Sequence, residues 1–238
     1  MEQFSRTELL LRKSGLERLQ ASRIAVFGVG GVGGFVCEAL VRSGLGAIDI
    51  VDNDVVSVSN INRQIIATHA SVGRPKVEVM AERLREINPD VRVTLHPMFY
   101  LPENAGEIDL SQFDYVVDAI DTVTAKLELI SRCTALQVPI ISAMGAGNKL
   151  DPTKLLITDI YQTTACPLAR IMRKECRKRG IPALKVAFST EEPVPLEQTV
   201  SAADRRRDIP GSAMFVPASM GLMIASHIVQ EISGVHAK

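Results

Sequence analysis

A doubly wound α/β fold on a mainly parallel sheet, followed by an irregular C-terminal extension, is what this sequence predicts. Short apolar runs alternate with helix-period segments, the signature of helices crossing over between parallel strands. A glycine-rich turn joins the first apolar run to the helix after it. The chain has 238 residues, 46% of them hydrophobic, enough to bury roughly 70–75% of the unfolded surface.

Leu9 to Leu19 carries apolar residues about one turn apart and reads as an amphipathic helix. Arg23 to Phe27 is an apolar run stopped by Gly28, which suits a buried strand. Gly31 to Ser43 follows as a helix with small residues toward its partner, and Ala47 to Val51 as a second strand. Pro75 to Ile87 is a helix opened by proline and closed by Asn88-Pro89. Val91 to Leu95, Tyr115 to Val117 and Ile140 to Ser142 are three more strands, with helix Val123 to Leu136 between the last two.

After about residue 145 the character changes. Asn148 to Pro152 is a turn, Leu155 to Ile160 a strand returning along the sheet, and Pro167 to Arg179 a basic helix. Ser189 to Pro210 contains Pro193, Pro195 and Arg205-Arg206-Arg207, and reads as a mobile loop too polar to pack. Pro217 to Ile232 is a final, mostly buried helix. No repeat is visible. The chain reads as one domain, 1–238, with a nucleotide-binding core over 1–145 and a C-terminal part over 146–238.

Charge and cysteine usage narrow the function classes. With 27 basic and 27 acidic side chains, no global field draws the protein to nucleic acid or membrane, so RNA affinity requires a local patch. Cys37, Cys133, Cys166 and Cys176 form no C-x-x-C pair, against a zinc ribbon or a thioredoxin-type site. Arg6, Glu8, Arg12 and Lys13 interrupt the N-terminus, which a signal-peptide core does not tolerate. No run reaches the roughly 18–20 apolar residues of a membrane span. The expectation is a cytoplasmic protein.

Gly28-Val29-Gly30-Gly31-Val32-Gly33 fits G-x-G-x-x-G between a strand and a helix. Glycines there let backbone N–H groups approach a phosphate at the positive helix end, making the fold Rossmann-like. Asp52 ends the second strand where a ribose-binding carboxylate is expected. On this motif alone NAD is the favourite ligand, but the polar run from Asp52 to Gln64 argues otherwise. Arg63 and Lys76 bring two cations toward the phosphate end, Asp54 can hold a divalent ion, and Asp118 and Asp121 close another strand. A triphosphate, unlike a dinucleotide pyrophosphate, requires such cations together with magnesium.

Taken together, the glycine loop, Asp52-x-Asp54, Ser59-Asn60-Ile61-Asn62-Arg63-Gln64, Lys76 and Asp118-x-x-Asp121 resemble the ubiquitin-activating-like (ThiF/MoeB/HesA) adenylating superfamily over residues 4 to about 145. The resemblance implies that Gly28, Gly30, Gly31 and Gly33 cradle ATP and that Asp52 binds its ribose. Asn60, Arg63, Gln64 and Lys76 would hold the triphosphate, and Asp121 with Asp54 would position Mg²⁺. It also implies a homodimer in which Arg6 reaches the partner's ATP. Four further stretches, Lys76 to Pro89, Gly145 to Pro152, Pro167 to Gly180 and Ile209 to Ser219, are most similar to the tRNA threonylcarbamoyladenosine dehydratases within that superfamily. That group adenylates the threonine carboxylate of the modified adenosine in tRNA, then closes a ring with loss of water.

The alternative within the superfamily, activation of the C-terminal glycine of a ubiquitin-like sulfur carrier, commonly goes with paired C-x-x-C ligands, which this chain lacks. An NAD-dependent oxidoreductase has no need for Arg63, Lys76 and Asp121 together, and a purely RNA-binding module has no need for the aspartates. Cys166 has no evident histidine partner, which argues against a thiol nucleophile. The helix from Pro167 bears Arg170, Arg173, Lys174, Arg177, Lys178 and Arg179 against one acid, Glu175, and Arg206 lies in a second basic cluster. One-signed charge of that kind points to RNA phosphates. No motif here demands a monovalent cation near the nucleotide, nor a sulfur-transfer partner, although both are compatible with the chain.

Overall fold

The computed structural model describes residues 2–195 and 210–236. Seven strands form one sheet: β1 (Arg23–Phe27), β2 (Ala47–Val51), β3 (Arg92–His96), β4 (Tyr115–Asp118), β5 (Ile140–Ala143), β6 (Leu155–Asp159) and β7 (Lys185–Ser189). Their order is β3-β2-β1-β4-β5-β7-β6, parallel except for the antiparallel β6–β7 pair. The doubly wound expectation therefore holds. The strand order reverses between β1 and β4, and a crevice opens at the carboxyl ends of the strands beside such a reversal.

The helices are α1 (Ser5–Ala21), α2 (Gly33–Arg42), α3 (Lys76–Ile87), α4 (Val123–Leu136), α5 (Pro167–Lys178) and α6 (Phe215–Ser233). Central strands are apolar on both faces, as burial between helix layers requires. Ile24, Val26, Ile48 and Ile50 pack against α2, α3 and α6 on one side. Ala25, Phe27, Val51 and Val116 face Tyr100, Leu110, Phe113 and Leu129 on the other.

Three expectations need correction. The N-terminal helix is amphipathic only in its second half. Its backbone breaks at Arg12, where φ is 62°, and the change of direction leaves Leu9 and Leu10 85% and 76% exposed while Leu11, Leu16 and Leu19 are buried. The helix expected from Gly31 begins at Gly33, because Gly31 and Val32 belong to the turn. Ser189 does not open an unpacked loop. It is fully buried at the end of β7, a strand not anticipated, which inserts between β5 and β6.

Beyond it, Glu191 stays anchored. Its carboxylate accepts the N–H groups of Leu150 and Asp151. Residues 196–209, including Arg205, Arg206 and Arg207, lie outside the described residues. The C-terminal third is thus woven into the same core: β7 and β6 complete the sheet, and Val216, Met220, Ile224 and Ile228 of α6 are buried in it. Although α6 is long and apolar enough to cross a membrane by composition, half of its residues pack inside the protein.

Candidate active site

One cleft, about 700 Å³, lies at the carboxyl ends of β1, β2 and β4. It brings together Gly28, Gly30, Gly31, Asp52, Asp54, Asn60, Arg63, Gln64, Lys76 and Asp121. Residues more than 90 positions apart in sequence therefore share one surface. The segment after β3 (Met98, Phe99, Tyr100) and the turn after β5 (Gly145, Ala146, Gly147) add apolar and backbone walls.

The glycines divide by role. A Cβ on Gly33 would sit 1.8 Å from the Gly28 carbonyl oxygen, and one on Gly28, which has φ +92°, would sit 2.6 Å from that of Ala119. These two glycines exist for close packing of turn, helix and neighbouring strand. A Cβ on Gly30 would meet only the Gln64 amide nitrogen, 3.8 Å away, so it would project into the cleft itself. The N–H groups of Gly30, Gly31 and Val32 donate to no acceptor among the described residues, and α2 points its positive end at them. An anion is the ligand such a cradle fits.

Asp52 fixes the loop from below. One carboxylate oxygen accepts the Val29 N–H at 2.7 Å and the other the Asp54 N–H at 2.8 Å. Lys76, almost fully buried at the start of α3, donates to Asp54 at 2.7 Å and stands 4.0 Å from Asp52. Asn60 ends a short 3-10 turn, Val58–Asn60, where its side chain accepts the Ser57 N–H at 3.0 Å. Arg63 donates to the Ser59 carbonyl and the Asn62 side chain, at 2.8 and 2.9 Å, and lies half-buried at the cleft. Gln64 is buried, yet its Oε1 has no hydrogen-bond partner among the described residues. An orphaned amide on a cleft wall is a group awaiting a ligand or water.

Of the two carboxylates expected at the end of β4, only Asp121 is open to the cleft. Asp118 is fully buried and paired with Lys126 of α4 at 2.8 Å, both side chains being 0% exposed. The same ammonium donates to the carbonyls of Ile120 (3.1 Å) and Ala143 (2.9 Å). Asp118 also accepts from the Ser142 hydroxyl at 2.5 Å and the Ile120 N–H at 3.2 Å. This knot ties the end of β4, the Ala119–Thr122 turn carrying Asp121, and the end of β5 into one unit. Lys126 was not anticipated. The available signal was a lone lysine among Ala125, Leu127, Leu129 and Ile130, all buried.

Among the described residues no group of three or more His, Cys, Asp or Glu side chains could enclose a metal. Asp54, which Lys76 holds, and Asp121 are the exposed carboxylates on this cleft; two open carboxylates suit a hard cation only where phosphates and water complete its shell. Arg6 lies exposed on the first turn of α1 and does not line this cleft. Cys37 and Cys133 are core residues, as expected; burial pushes the Cys37 thiol up and that of Cys133 to about 12, so neither supplies a thiolate. Cys166 is buried at the head of α5 beside Gly145.

The basic helix is less free than its sequence implied. Arg173 donates to the Thr163 carbonyl at 2.8 Å and to its hydroxyl. Lys178 and Arg179 both hold Glu175 at 2.7 Å, and Arg177 lies over the Tyr161 ring at 5.2 Å. Arg170 and Lys174 have no partner among the described residues.

The profile of the ThiF family matches residues 4–238. The chain belongs to the ThiF family. It is 42% identical over 241 residues to the tRNA threonylcarbamoyladenosine dehydratase of Bacillus subtilis, covering 98% of this chain and 95% of that one. The crystal structure of the Escherichia coli tRNA N6-threonylcarbamoyladenosine dehydratase TcdA in complex with ATP superposes with a TM-score of 0.88 at 36% identity, covering 98% of this chain and 94% of that one. The sulfur carrier protein adenylyltransferase of Thermus thermophilus is 39% identical over 127 residues, only 53% of this chain and 46% of its own. As a ThiF-family protein the chain is an adenylate-forming enzyme in fold and motif, and its likeness to the dehydratases runs end to end.

Proposed function

We infer that this ThiF-family enzyme uses ATP to adenylate the threonine carboxylate of threonylcarbamoyladenosine in tRNA and then closes it to the cyclic nucleoside. What carries the reading most is the single cleft in which the glycine cradle, Lys76, Arg63, Gln64 and the two open carboxylates meet.

The chemistry explains the residue set. A carboxylate is a poor acyl donor because oxide is a poor leaving group. One carboxylate oxygen attacks the α-phosphorus, pyrophosphate leaves, and the acyl group now carries AMP. An atom of the neighbouring carbamoyl group attacks the acyl carbon, losing its proton, and AMP departs with that carboxylate oxygen. Ring closure within one molecule gains high effective molarity, so no enzymic nucleophile is required. The buried cysteines accord with that.

The Gly30–Val32 N–H groups and the α2 terminus hold phosphate oxygens, and Asp52 meets the ribose. Asn60, Arg63, Gln64 and Lys76 bear on the triphosphate and on charge gathered at the pentavalent phosphorus. Asp54 and Asp121 hold Mg²⁺, which neutralises phosphate charge when bound. On nucleotide binding Lys76 exchanges Asp54 for phosphate. Arg6, which does not line its own cleft, belongs to the partner's site in a homodimer. Arg170 and Lys174 contact the RNA, and the compartment is the cytoplasm.

The test is incubation with ATP and threonylcarbamoylated tRNA, digestion, and mass spectrometry of the nucleosides. A product lighter by one water supports the reading. An unchanged nucleoside, with adenylation of a ubiquitin-like carrier tail instead, replaces it by the sulfur-carrier activity.

A further inference from the structure

We propose that a second cleft, along the first turns of α5, is a subsite for the nucleotide flanking the modified adenosine, with its phosphate on Arg170 and Lys174 and its base against Pro167 and Ile171. This rests on the tRNA activity inferred above and adds to it a place where the neighbouring residue of the RNA is held.

The cleft measures about 650 Å³, and its lining includes Pro167, Arg170, Ile171, Lys174 and Glu192. Two parallel rows run along it. Pro167 and Ile171 stand four residues apart on α5, as do Arg170 and Lys174, so each pair shares a face. Ile171 is 47% exposed on a helix whose outward positions are otherwise mostly charged. Like charges four apart on a helix repel, and an anion bridging them removes that repulsion. The other cations of α5 are engaged by Thr163, Glu175 or Tyr161, which leaves these two without a partner among the described residues.

The second cleft adjoins the first. Leu168, on the same helix, lines the ATP cleft. Cys166 lines the second, and its Sγ would stand 3.6 Å from a Cβ on Gly145, which lines the first. Leu168 and Lys174 lie about 9 Å apart along the helix axis. Single-stranded RNA is gripped by cations on its phosphates and a flat side-chain surface under its bases; here Pro167 and Ile171 supply an aliphatic surface in place of aromatic rings. Glu192, across the cleft, offers a carboxylate to an exocyclic amine and so a means of preferring one base.

The test compares wild type, the double variant Arg170→Ala/Lys174→Ala, and Ile171→Ser in dehydration of threonylcarbamoylated tRNA, with calorimetric ATP binding as the check on folding. The double variant is expected to raise the tRNA KM at least tenfold, with a smaller change in kcat. Its salt slope for RNA binding should fall by about 0.7 per phosphate lost. Ile171→Ser should raise KM with the slope unchanged, and Lys174→Arg should retain both. Variants that match wild-type KM and slope overturn the subsite and leave the activity standing. So do variants that keep their RNA affinity but lose an acidic carrier-protein tail. A wild-type enzyme unable to dehydrate the tRNA at all overturns the activity on which the subsite rests.

Discussion

Replacing Lys126 by methionine keeps the length of the side chain and removes its charge. In the native protein all three ammonium protons are used, on Asp118, Ile120 and Ala143, and neither member of the ion pair touches solvent. The substitution leaves a buried carboxylate with only the Ser142 hydroxyl and the Ile120 N–H, and two carbonyls without this donor. Breaking one side of a buried pair costs about 3–5 kcal/mol, a large share of the 5–15 kcal/mol that holds a typical domain together. The chain has no tryptophan, so urea unfolding is best followed by far-UV circular dichroism. Removing the charge on both sides, as Asp118→Asn/Lys126→Met, should recover part of the loss, because no unpaired charge then remains buried. Since the knot holds the turn bearing Asp121, ATP affinity should weaken in Lys126→Met under conditions where it remains folded. A loss below about 1 kcal/mol, or a double variant whose losses simply add, would mean that Asp118 and Lys126 do not depend on each other as a buried pair.

Asp121→Ala and Arg63→Ala should abolish turnover while leaving the circular dichroism spectrum and urea midpoint near wild type, because Asp121 is exposed and Arg63, half-buried on the cleft wall, bonds within its own turn. Gly30→Ala should keep the fold and weaken ATP binding, read by calorimetry, since its methyl enters the cleft. Gly33→Ala should fail to fold, read as loss of soluble protein, since its methyl would collide with the Gly28 carbonyl. His227 supplies a pH test. Burial first, and then Lys185, hold its imidazole below the ordinary value, against the pull of Glu231, with His236 also nearby. The unfolded side chain takes up a proton near pH 6.5, the folded one only lower. Its contribution to stability is therefore complete above about pH 6.5 and is lost as pH falls through the folded value. Urea midpoints taken down to about pH 5.5 should decline less steeply in His227→Gln than in wild type.

How legible each part was in the sequence follows from how local its signal is. The strands Arg23–Phe27 and Ala47–Val51 and the helix Val123–Leu136 were bounded by glycine, polar turns or helix period, and the structure has them at those residues. The cleft residues from Gly28 to Lys76 were legible because a strand, a glycine turn and a polar connection lie in sequence order at one sheet edge. What escaped depended on long-range packing. β7 has only five residues, and its place between β5 and β6 is set by pairing, not by its own pattern. Asp118 and Asp121 look alike in sequence, and only the position of Lys126 on the next helix separates a structural carboxylate from an open one. The charges of α5 show the same limit. Composition counts cations, whereas Thr163, Glu175 and Tyr161 decide which of them are free.

The fate of one oxygen atom tests the adenylation most directly. Threonylcarbamoylated tRNA carrying heavy oxygen in its threonine carboxylate, treated with ATP and the enzyme, should yield AMP bearing one heavy atom, alongside unlabelled pyrophosphate. Label appearing in inorganic phosphate with ADP, or AMP formed without label, would contradict attack of that carboxylate on the innermost phosphorus.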